Sequence, residues 1–206
     1  MKNLMIEALG AFFLTLVVGL NILVAKNGQF APFAIGLTLM VIVYAGGPIS
    51  GGHYNPLVSI AVWIRGALRT RDVLPYISSQ FLGASLAFFP VSFLVPHEAV
   101  SATNTDLAQI FAAEYLFSFL LAITVILCAT NKSISGNSFF GIAIGTVLTI
   151  SALSVGGISG AVLNPAVGFS LLIFNVLNVS VLPTYFAAQL LAGVSAGFLG
   201  RFLFDD

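Results

Sequence analysis

Two short polar interruptions of the same pattern break an otherwise apolar chain. The first is SGGHYNP at residues 50–56, and the second is SGAVLNP at residues 159–165. Proline has a preset φ and no N–H, so it suits the first position of a helix, and asparagine is a favoured residue just before it. Asn55-Pro56 and Asn164-Pro165 therefore each predict the start of a helix.

The residues before each asparagine, beginning with Ser50 and Ser159, are predicted to be extended and non-helical. Such backbone is stable at membrane depth only when it is buried in protein or lines a water-filled cavity. Its carbonyl oxygens would then form two ladders of hydrogen-bond acceptors along a pathway. The ladder residues are Gly51, Gly52, His53, Tyr54, Ser159, Gly160, Ala161 and Val162.

Two helix N-termini that meet at the centre of a membrane would bring free amide donors and the positive ends of two helix dipoles. The side-chain amides of Asn55 and Asn164 would add donors for a passing oxygen atom. Such a centre repels cations and still accepts neutral molecules. This chemistry is typical of a channel for uncharged solutes.

The composition places these interruptions in a membrane. Of the 206 residues 59% are hydrophobic and 7% charged, and the mean hydropathy is +1.08. About a quarter of the residues in an average soluble domain are charged. The net charge is zero and no basic stripe is present, so nucleic acid is not an expected partner. No cysteine or second histidine lies near His53 in sequence, so neither a metal site nor a cofactor is predicted.

Six apolar windows are long enough to cross a bilayer as helices. Two shorter apolar pieces, 56–64 and 165–174, each follow an Asn-Pro pair and cannot cross alone. The sequence therefore predicts an all-α integral membrane protein with six spanning helices and two re-entrant half-helices. The predicted spans lie at about 4–25, 32–49, 73–95, 107–129, 138–156 and 181–203.

The two halves of the chain repeat each other. IEALGAFFLTL near the N-terminus resembles AEYLFSFLLAI in the second half, and each carries one glutamate. Glu7 precedes Asn55 by 48 residues, and Glu114 precedes Asn164 by 50. Because three spans per half is an odd number, the second half must insert upside down. An inverted repeat with interrupted helices points to a solute pathway near the bilayer midplane.

A single domain over residues 1–206 is expected, with halves of about 1–95 and 107–206 joined by a polar linker, 96–106. Loop charges predict that both termini are cytoplasmic, because six of the seven basic residues fall on that side and only Lys26 falls outside. The membrane itself is not identified. The six residues are Lys2, Arg65, Arg69, Arg71, Lys132 and Arg201.

The intramembrane acids Glu7 and Glu114 have two readings. They could relay protons in an ion-coupled transporter, or they could accept hydrogen bonds from the re-entrant backbone and hold it in place. The second reading is favoured, because each acid matches the repeat and has no cationic partner in sequence. His53 is likewise read as a vestibule residue whose carbonyl matters more than its ring, in preference to a pH-sensitive gate.

On these residues the sequence resembles the aquaporins, the major intrinsic protein family, over essentially the whole chain. SGGHYNPLVS is similar to the family's first Asn-Pro-Ala box, with Leu57 in place of alanine, and SGAVLNPAVGFS is similar to the second. The resemblance implies a homotetramer with one pore in each protomer. The residues that it implies for the pore centre are Asn55, Pro56, Leu57, Asn164, Pro165 and Ala166.

The resemblance also implies a narrow outer constriction lined by Ile35, Ala152, Ala161 and Val167. Water-selective members of the family carry an aromatic residue, a histidine, a small residue and an arginine there. Val167 takes the place of the arginine, which would supply fixed charge and rigid donors. We therefore expect an apolar, wider ring that admits small uncharged or weakly polar solutes, unless Phe169 or another phenylalanine narrows it.

Two other functions stay open at this point. One is ion-coupled secondary transport, which also uses inverted repeats and broken helices. The other is a structural or adhesive membrane protein whose pore is closed at the apolar ring. An enzyme is not expected, because no Ser-His, Cys-His or paired-acid set converges on one face.

Overall fold

The computed structural model describes residues 1–23, 28–95 and 106–204, and all regular secondary structure within them is helical. A 3₁₀ turn, Lys132–Ile134, joins two of the longer helices. The α-helices are α1 (Lys2–Leu23), α2 (Ala31–Ser50), α3 (Pro56–Ile64), α4 (Thr70–Leu86), α5 (Phe88–Leu94), α6 (Leu107–Ala129), α7 (Phe140–Ser159), α8 (Pro165–Ile173) and α9 (Leu182–Leu203).

Six apolar stretches are long enough to span a membrane, which confirms the predicted number of spans. Five are the single helices α1, α2, α6, α7 and α9. The sixth, Thr70–Leu94, comprises α4 and α5. The break between these two helices falls just before Pro90, whose ring nitrogen cannot donate to the carbonyl one turn earlier. The half-helices α3 and α8 have 9 residues each, as the Asn-Pro pairs predict.

The helices form two equivalent sets, α1 to α5 and α6 to α9. Within the sets α1 packs on α4, and α6 packs on α9. Each half-helix packs against the last spanning segment of the other set, α3 on α9 and α8 on α4. The halves therefore interlock at the level of the half-helices. Of the predicted linker, 96–106, residues 96–105 lie outside the described residues, as does Lys26. Asp106 is described and caps α6.

Close helix crossings depend on glycine at two points near the half-helices. A Cβ atom on Gly83 of α4 would lie 2.0 Å from the carbonyl oxygen of Ala8 in α1. A Cβ atom on Gly193 of α9 would lie 2.6 Å from the carbonyl oxygen of Leu57 in α3. Small residues at such crossings allow helix backbones in a membrane to approach closely.

Large apolar side chains cover the outside of the bundle, among them Phe13, Leu37, Leu120 and Phe198. This surface suits a lipid environment, and the protein is a multi-pass integral membrane protein. Because the chain crosses six times, it ends on the face at which α1 begins, which we call the N-terminal face. The first re-entrant segment, residues 51–64, enters from the N-terminal face. The second, residues 160–173, enters from the opposite, far face.

Candidate solute pathway

Each asparagine caps the half-helix that follows it. Asn55 is extended, with φ of −155°, and its Oδ1 atom accepts a hydrogen bond from the Leu57 N–H at 3.1 Å. Asn164 has φ of −156°, and its Oδ1 atom accepts from the Ala166 N–H at 3.0 Å and the Val167 N–H at 3.4 Å. These caps satisfy donors that the first turn of a helix leaves unpaired.

The same two asparagines also tie the halves together. Asn55 Nδ2 donates to the carbonyl of Leu163 at 2.8 Å, and Asn164 Nδ2 donates to the carbonyl of Tyr54 at 3.0 Å. Each amide therefore bonds the re-entrant backbone of the opposite half. An NH₂ group has two hydrogens, so one hydrogen of each asparagine has no acceptor among the described residues.

Glu7 accepts four hydrogen bonds at the base of the first re-entrant segment. Its Oε1 atom accepts from the Ser50 hydroxyl at 2.6 Å and the His53 N–H at 3.0 Å. Its Oε2 atom accepts from the Tyr54 N–H at 2.7 Å and from Nε2 of Gln80 at 2.8 Å. The side chain is fully buried.

Glu114 repeats this arrangement in the second half. Its Oε1 atom accepts from the Ser159 hydroxyl at 2.6 Å and the Val162 N–H at 2.9 Å. Its Oε2 atom accepts from the Leu163 N–H and from Nε2 of Gln189, both at 2.8 Å. The four donors of each glutamate lie in a re-entrant segment, at the helix end before it, or on the spanning helix that follows. This is the geometry expected of an acid that holds a loop. We call the two glutamates, their donors and the two asparagines the re-entrant framework.

Two tyrosines complete the framework. The Tyr76 hydroxyl donates to the carbonyl of Ser50 at 2.8 Å, and the Tyr185 hydroxyl donates to the carbonyl of Ser159 at 2.6 Å. These tyrosines and both glutamines were not among the residues predicted from the sequence. A signal was available, because YISSQ and YFAAQ each begin 21 residues after the asparagine of their own half.

The serines that begin the interruptions are helical, which corrects the prediction that they are extended. Ser50 and Ser159 are the last residues of α2 and α7. Each helix ends only at the following glycine, which is left-handed, with φ of 95° at Gly51 and 80° at Gly160. Glycine takes this cap conformation without steric cost. The Ser159 carbonyl accepts a hydrogen bond from Tyr185, so of the predicted second ladder only the carbonyls of Gly160, Ala161 and Val162 have no such side-chain donor among the described residues.

Several non-glycine residues of the re-entrant segments are left-handed as well. The φ values are 51° at Tyr54, 48° at Ala161 and 49° at Leu163. Such residues cost of order 1–3 kcal/mol each unless the surroundings enforce them. Here the glutamates bind the N–H groups of Tyr54 and Leu163, and the asparagines bind their carbonyls. These bonds therefore hold the strained backbone on both sides of Tyr54 and of Leu163.

A cavity of about 590 Å³ lies between the two segments. It is lined by Asn55 and Asn164 and by all four positions of the expected constriction, Ile35, Ala152, Ala161 and Val167. The ladder residues that line it are Gly52, His53, Ser159, Gly160, Ala161 and Val162. The remaining predicted residues do not border it: Gly51, Tyr54, Pro56, Leu57, Pro165 and Ala166.

The cavity wall is mainly aliphatic. Among the described residues that line it, no side chain is charged and none is a phenylalanine. Phe169 instead packs edge-on against Phe81, with 5.7 Å between ring centroids, and does not reach the cavity. The polar side chains on the wall are those of His53, Asn55, Ser159, Asn164 and Tyr185.

Several known proteins are similar to this chain. The family model described as Major intrinsic protein matches residues 1–155 and 101–205. The chain is 34% identical over 175 residues to Glycerol uptake facilitator protein-like 6 of Lactiplantibacillus plantarum, covering 81% of each chain. It is 31% identical over 198 residues to Aquaporin-8 of Rattus norvegicus, covering 88% of this chain and 72% of the relative.

A solved structure shares the fold. The aquaglyceroporin from Plasmodium falciparum superposes with a TM-score of 0.77 at 20% sequence identity. The superposition covers 100% of this chain and 95% of that one. The arrangement of six spans and two half-helices is therefore that of a known channel fold.

Proposed function

The chain belongs to the major intrinsic protein family, and from this premise we propose that the cavity between its re-entrant segments is the path of the solute. The protein is a passive membrane channel for water and small solutes, and it is not an enzyme. The proposal assigns its pore centre to Asn55 and Asn164 and its outer constriction to Ile35, Ala152, Ala161 and Val167.

The aliphatic character of this constriction is the observation that carries the proposal. Water loses hydrogen bonds when it passes such a ring, at a cost of about 1–3 kcal/mol for each unmet polar group. Val167 supplies neither the charge nor the donors of an arginine. We therefore propose that the pore is less selective for water than its relatives and admits other small uncharged molecules. Exclusion of cations and protons then depends on the two half-helix dipoles at the centre.

Contacts of the glutamates argue against ion-coupled transport. A coupling group must meet the pathway, but Glu7 and Glu114 are fully buried and neither borders the cavity. Both carboxylates are occupied by framework donors. The open volume at the centre argues against a closed, purely structural protein.

We also propose that both termini lie in the cytoplasm, on the strength of the basic residues near the N-terminal face. For the assembly we propose a homotetramer, with a second copy of this chain on the α1–α2 face. That face carries an apolar groove of about 580 Å³ with Gly10 and Gly46 among its lining residues. The α6–α7 face instead exposes Leu116 and Leu120. Contact between two different faces of one subunit is head-to-tail, and such contacts form a ring when the rotation closes.

Osmotic shrinkage of proteoliposomes, followed by stopped-flow light scattering, tests the pathway. We expect fast shrinkage that Asn164→Asp abolishes, because the change removes the amide donor to Tyr54 and adds a charge at the pore centre. Shrinkage no faster than that of empty vesicles, from protein that elutes as a folded species, would refute a water pathway. Uptake of larger neutral solutes would then be measured to distinguish a wider specificity from a closed pore.

A second variant tests the constriction. Val167→Arg is expected to lower urea permeability more than water permeability, because arginine narrows the ring and adds a fixed charge. Val179→Arg is the matched control, since Val179 is 67% exposed and lies outside the cavity wall. If the ratio of urea to water permeability were the same in the wild type and in Val167→Arg, Val167 would not line the constriction.

A further inference from the structure

We propose that Gln80 and Ser59 are positioning residues that fix the tautomer of His53, so that its Nε2–H points into the pathway as a permanent hydrogen-bond donor. The inference rests on the proposed pathway, because the donor acts on a solute only if the cavity conducts. It names a specificity-determining group on the N-terminal side of the asparagine pair.

A chain of short contacts connects Glu7 to the histidine ring. Nε2 of Gln80 lies 2.8 Å from Oε2 of Glu7 and 2.8 Å from Oγ of Ser59. Oγ of Ser59 lies 3.1 Å from Nδ1 of His53. Glu7, Ser59 and Gln80 are fully buried, and His53 borders the cavity.

The direction of each hydrogen in this chain follows from Glu7. A carboxylate only accepts hydrogen bonds, so Gln80 must turn its NH₂ group, and not its carbonyl, toward Glu7. The two amide hydrogens then go to Glu7 and to Ser59 Oγ. If the amide were reversed, its oxygen would face the carboxylate oxygen across 2.8 Å.

Ser59 passes this polarity on to His53. Its oxygen accepts from Gln80, and its own hydrogen has one acceptor within reach among the described residues, Nδ1 of His53. A neutral imidazole carries one hydrogen, and an Nδ1 atom that accepts leaves that hydrogen on Nε2. The opposite tautomer would leave the hydroxyl hydrogen of a fully buried serine without a partner, which is unfavourable.

The Nε2 atom is available to a solute. No described residue forms a hydrogen bond with it. Gly51 leaves the space beside it open, because a Cβ atom at that position would lie 3.2 Å from Nε2. The ring is held on another side by Tyr76, with 5.4 Å between ring centroids.

The equivalent position in the second half carries no such donor. The positions 109 residues after His53 and Ser59 are Val162 and Gly168. On the cavity wall, Ser159 and Tyr185 already donate their hydroxyl hydrogens to the framework. Among the described side chains on the wall, the hydrogens without a protein acceptor are therefore one from each asparagine and the His53 Nε2–H. Such a pathway favours neutral solutes that carry an acceptor oxygen.

Nitrogen-15 NMR of the imidazole ring in lipid bilayers tests the tautomer directly. The chain has two histidines, so His97→Asn leaves His53 as the single signal. At a pH of about 8.5, above the range in which a free imidazole titrates, we expect a bare Nδ1 and a protonated Nε2. Ser59→Ala should give a mixture of tautomers, and Ser59→Thr should restore the wild-type spectrum.

Ser170→Ala is the matched control for this spectrum. Ser170 is also a fully buried serine in a half-helix, but its hydroxyl donates to the carbonyl of Ala166 and does not contact His53. We expect it to leave the ring signals unchanged. A protonated Nδ1 in the wild type would overturn the proposal, and so would a spectrum that Ser59→Ala leaves unaltered.

Urea and water permeabilities of the same proteoliposomes test the donor's role in permeation. His53→Leu removes the donor and should lower the urea-to-water ratio about two- to tenfold, the range expected for one hydrogen bond. His53→Gln keeps an N–H near the Nε2 position and should retain most of the ratio. An unchanged ratio in His53→Leu would overturn the donor's role, whereas absence of all flux in the wild type would refute the proposed function and leave the NMR result standing.

Discussion

The two re-entrant segments share one framework and differ in the residues attached to it. Glutamate, serine, glutamine, tyrosine and asparagine make the same hydrogen bonds in both halves, with distances that agree within about 0.2 Å for each pair. At the pathway itself, His53 corresponds to Val162. The repeat therefore preserves the residues that hold strained backbone, whereas residues that line the cavity differ between the halves.

The packing behind the two segments also differs. The Tyr54 ring lies against Gly10 and Gly46, and its hydroxyl donates to the carbonyl of Ile42 at 2.8 Å. The equivalent of Tyr54 is the smaller Leu163. The positions that correspond to the two glycines carry the larger Phe117 and Val155. Volume is therefore redistributed between loop and helix, as close packing requires.

The largest effect is expected from changing the glutamate that each half carries. Glu7→Gln and Glu114→Gln each turn an NH₂ group toward framework donors and leave one or two buried N–H groups without an acceptor. At about 1–3 kcal/mol for each such group, we expect a loss of about 2–4 kcal/mol in either half. The midpoint of thermal unfolding in detergent measures this loss.

Asp72→Asn is the control for this pair, because it makes the same chemical change at a carboxylate paired with the exposed Arg69. An exposed pair contributes about 0–1 kcal/mol. If only one of the two glutamine variants were as stable as Asp72→Asn, the two glutamates would not stabilise their segments equally.

The contact between Gly10 and the Tyr54 ring is specific to the first half and can be tested by substitution. Gly10→Ala places a Cβ atom 2.2 Å from the Tyr54 ring, so we expect overpacking to destabilise the protein by about 1–3 kcal/mol. Tyr54→Leu copies the second half and makes room for the new methyl group. The double variant should therefore be more stable than the sum of the two single changes indicates.

Gly157→Ala is the control, because nothing lies within 4 Å of a Cβ atom at that helical position. It should leave the unfolding midpoint unchanged or raise it slightly, since alanine favours helix over glycine. If the losses of unfolding free energy in Gly10→Ala and Tyr54→Leu were strictly additive, glycine at position 10 would not be needed to accommodate the Tyr54 ring.

Much of the fold could be predicted from the sequence, because hydropathy, proline and asparagine act locally. The windows place the spans within a few residues, and Asn55-Pro56 predicts the start of α3 correctly. The helix ends were less accessible. Ser50 ends α2 because Gly51 takes a left-handed φ, and Ser50 also donates to Glu7, a contact between residues 43 positions apart that local sequence does not reveal.

The identity of the cavity wall could be predicted only in part. Leu57 departs from the family's Asn-Pro-Ala pattern and reads in sequence as a change at the pore centre. In the structure it is fully buried, its carbonyl approaches Gly193 of α9, and its side chain does not border the cavity. Sequence spacing gives the distance from the asparagine but not the side of the half-helix that meets the pathway.

The smallest effect is expected from the two tyrosines that occupy equivalent positions in the framework. Tyr76→Phe and Tyr185→Phe each remove a hydrogen bond to a serine carbonyl at a helix end, so we expect similar losses of about 1 kcal/mol in unfolding free energy. Their effects on flux should differ, because Tyr185 borders the cavity and Tyr76 does not. If Tyr76→Phe altered the urea-to-water ratio as much as Tyr185→Phe, the effect would come from the framework both residues share. A change confined to Tyr185→Phe would mean that equivalent framework residues have acquired unequal access to the solute.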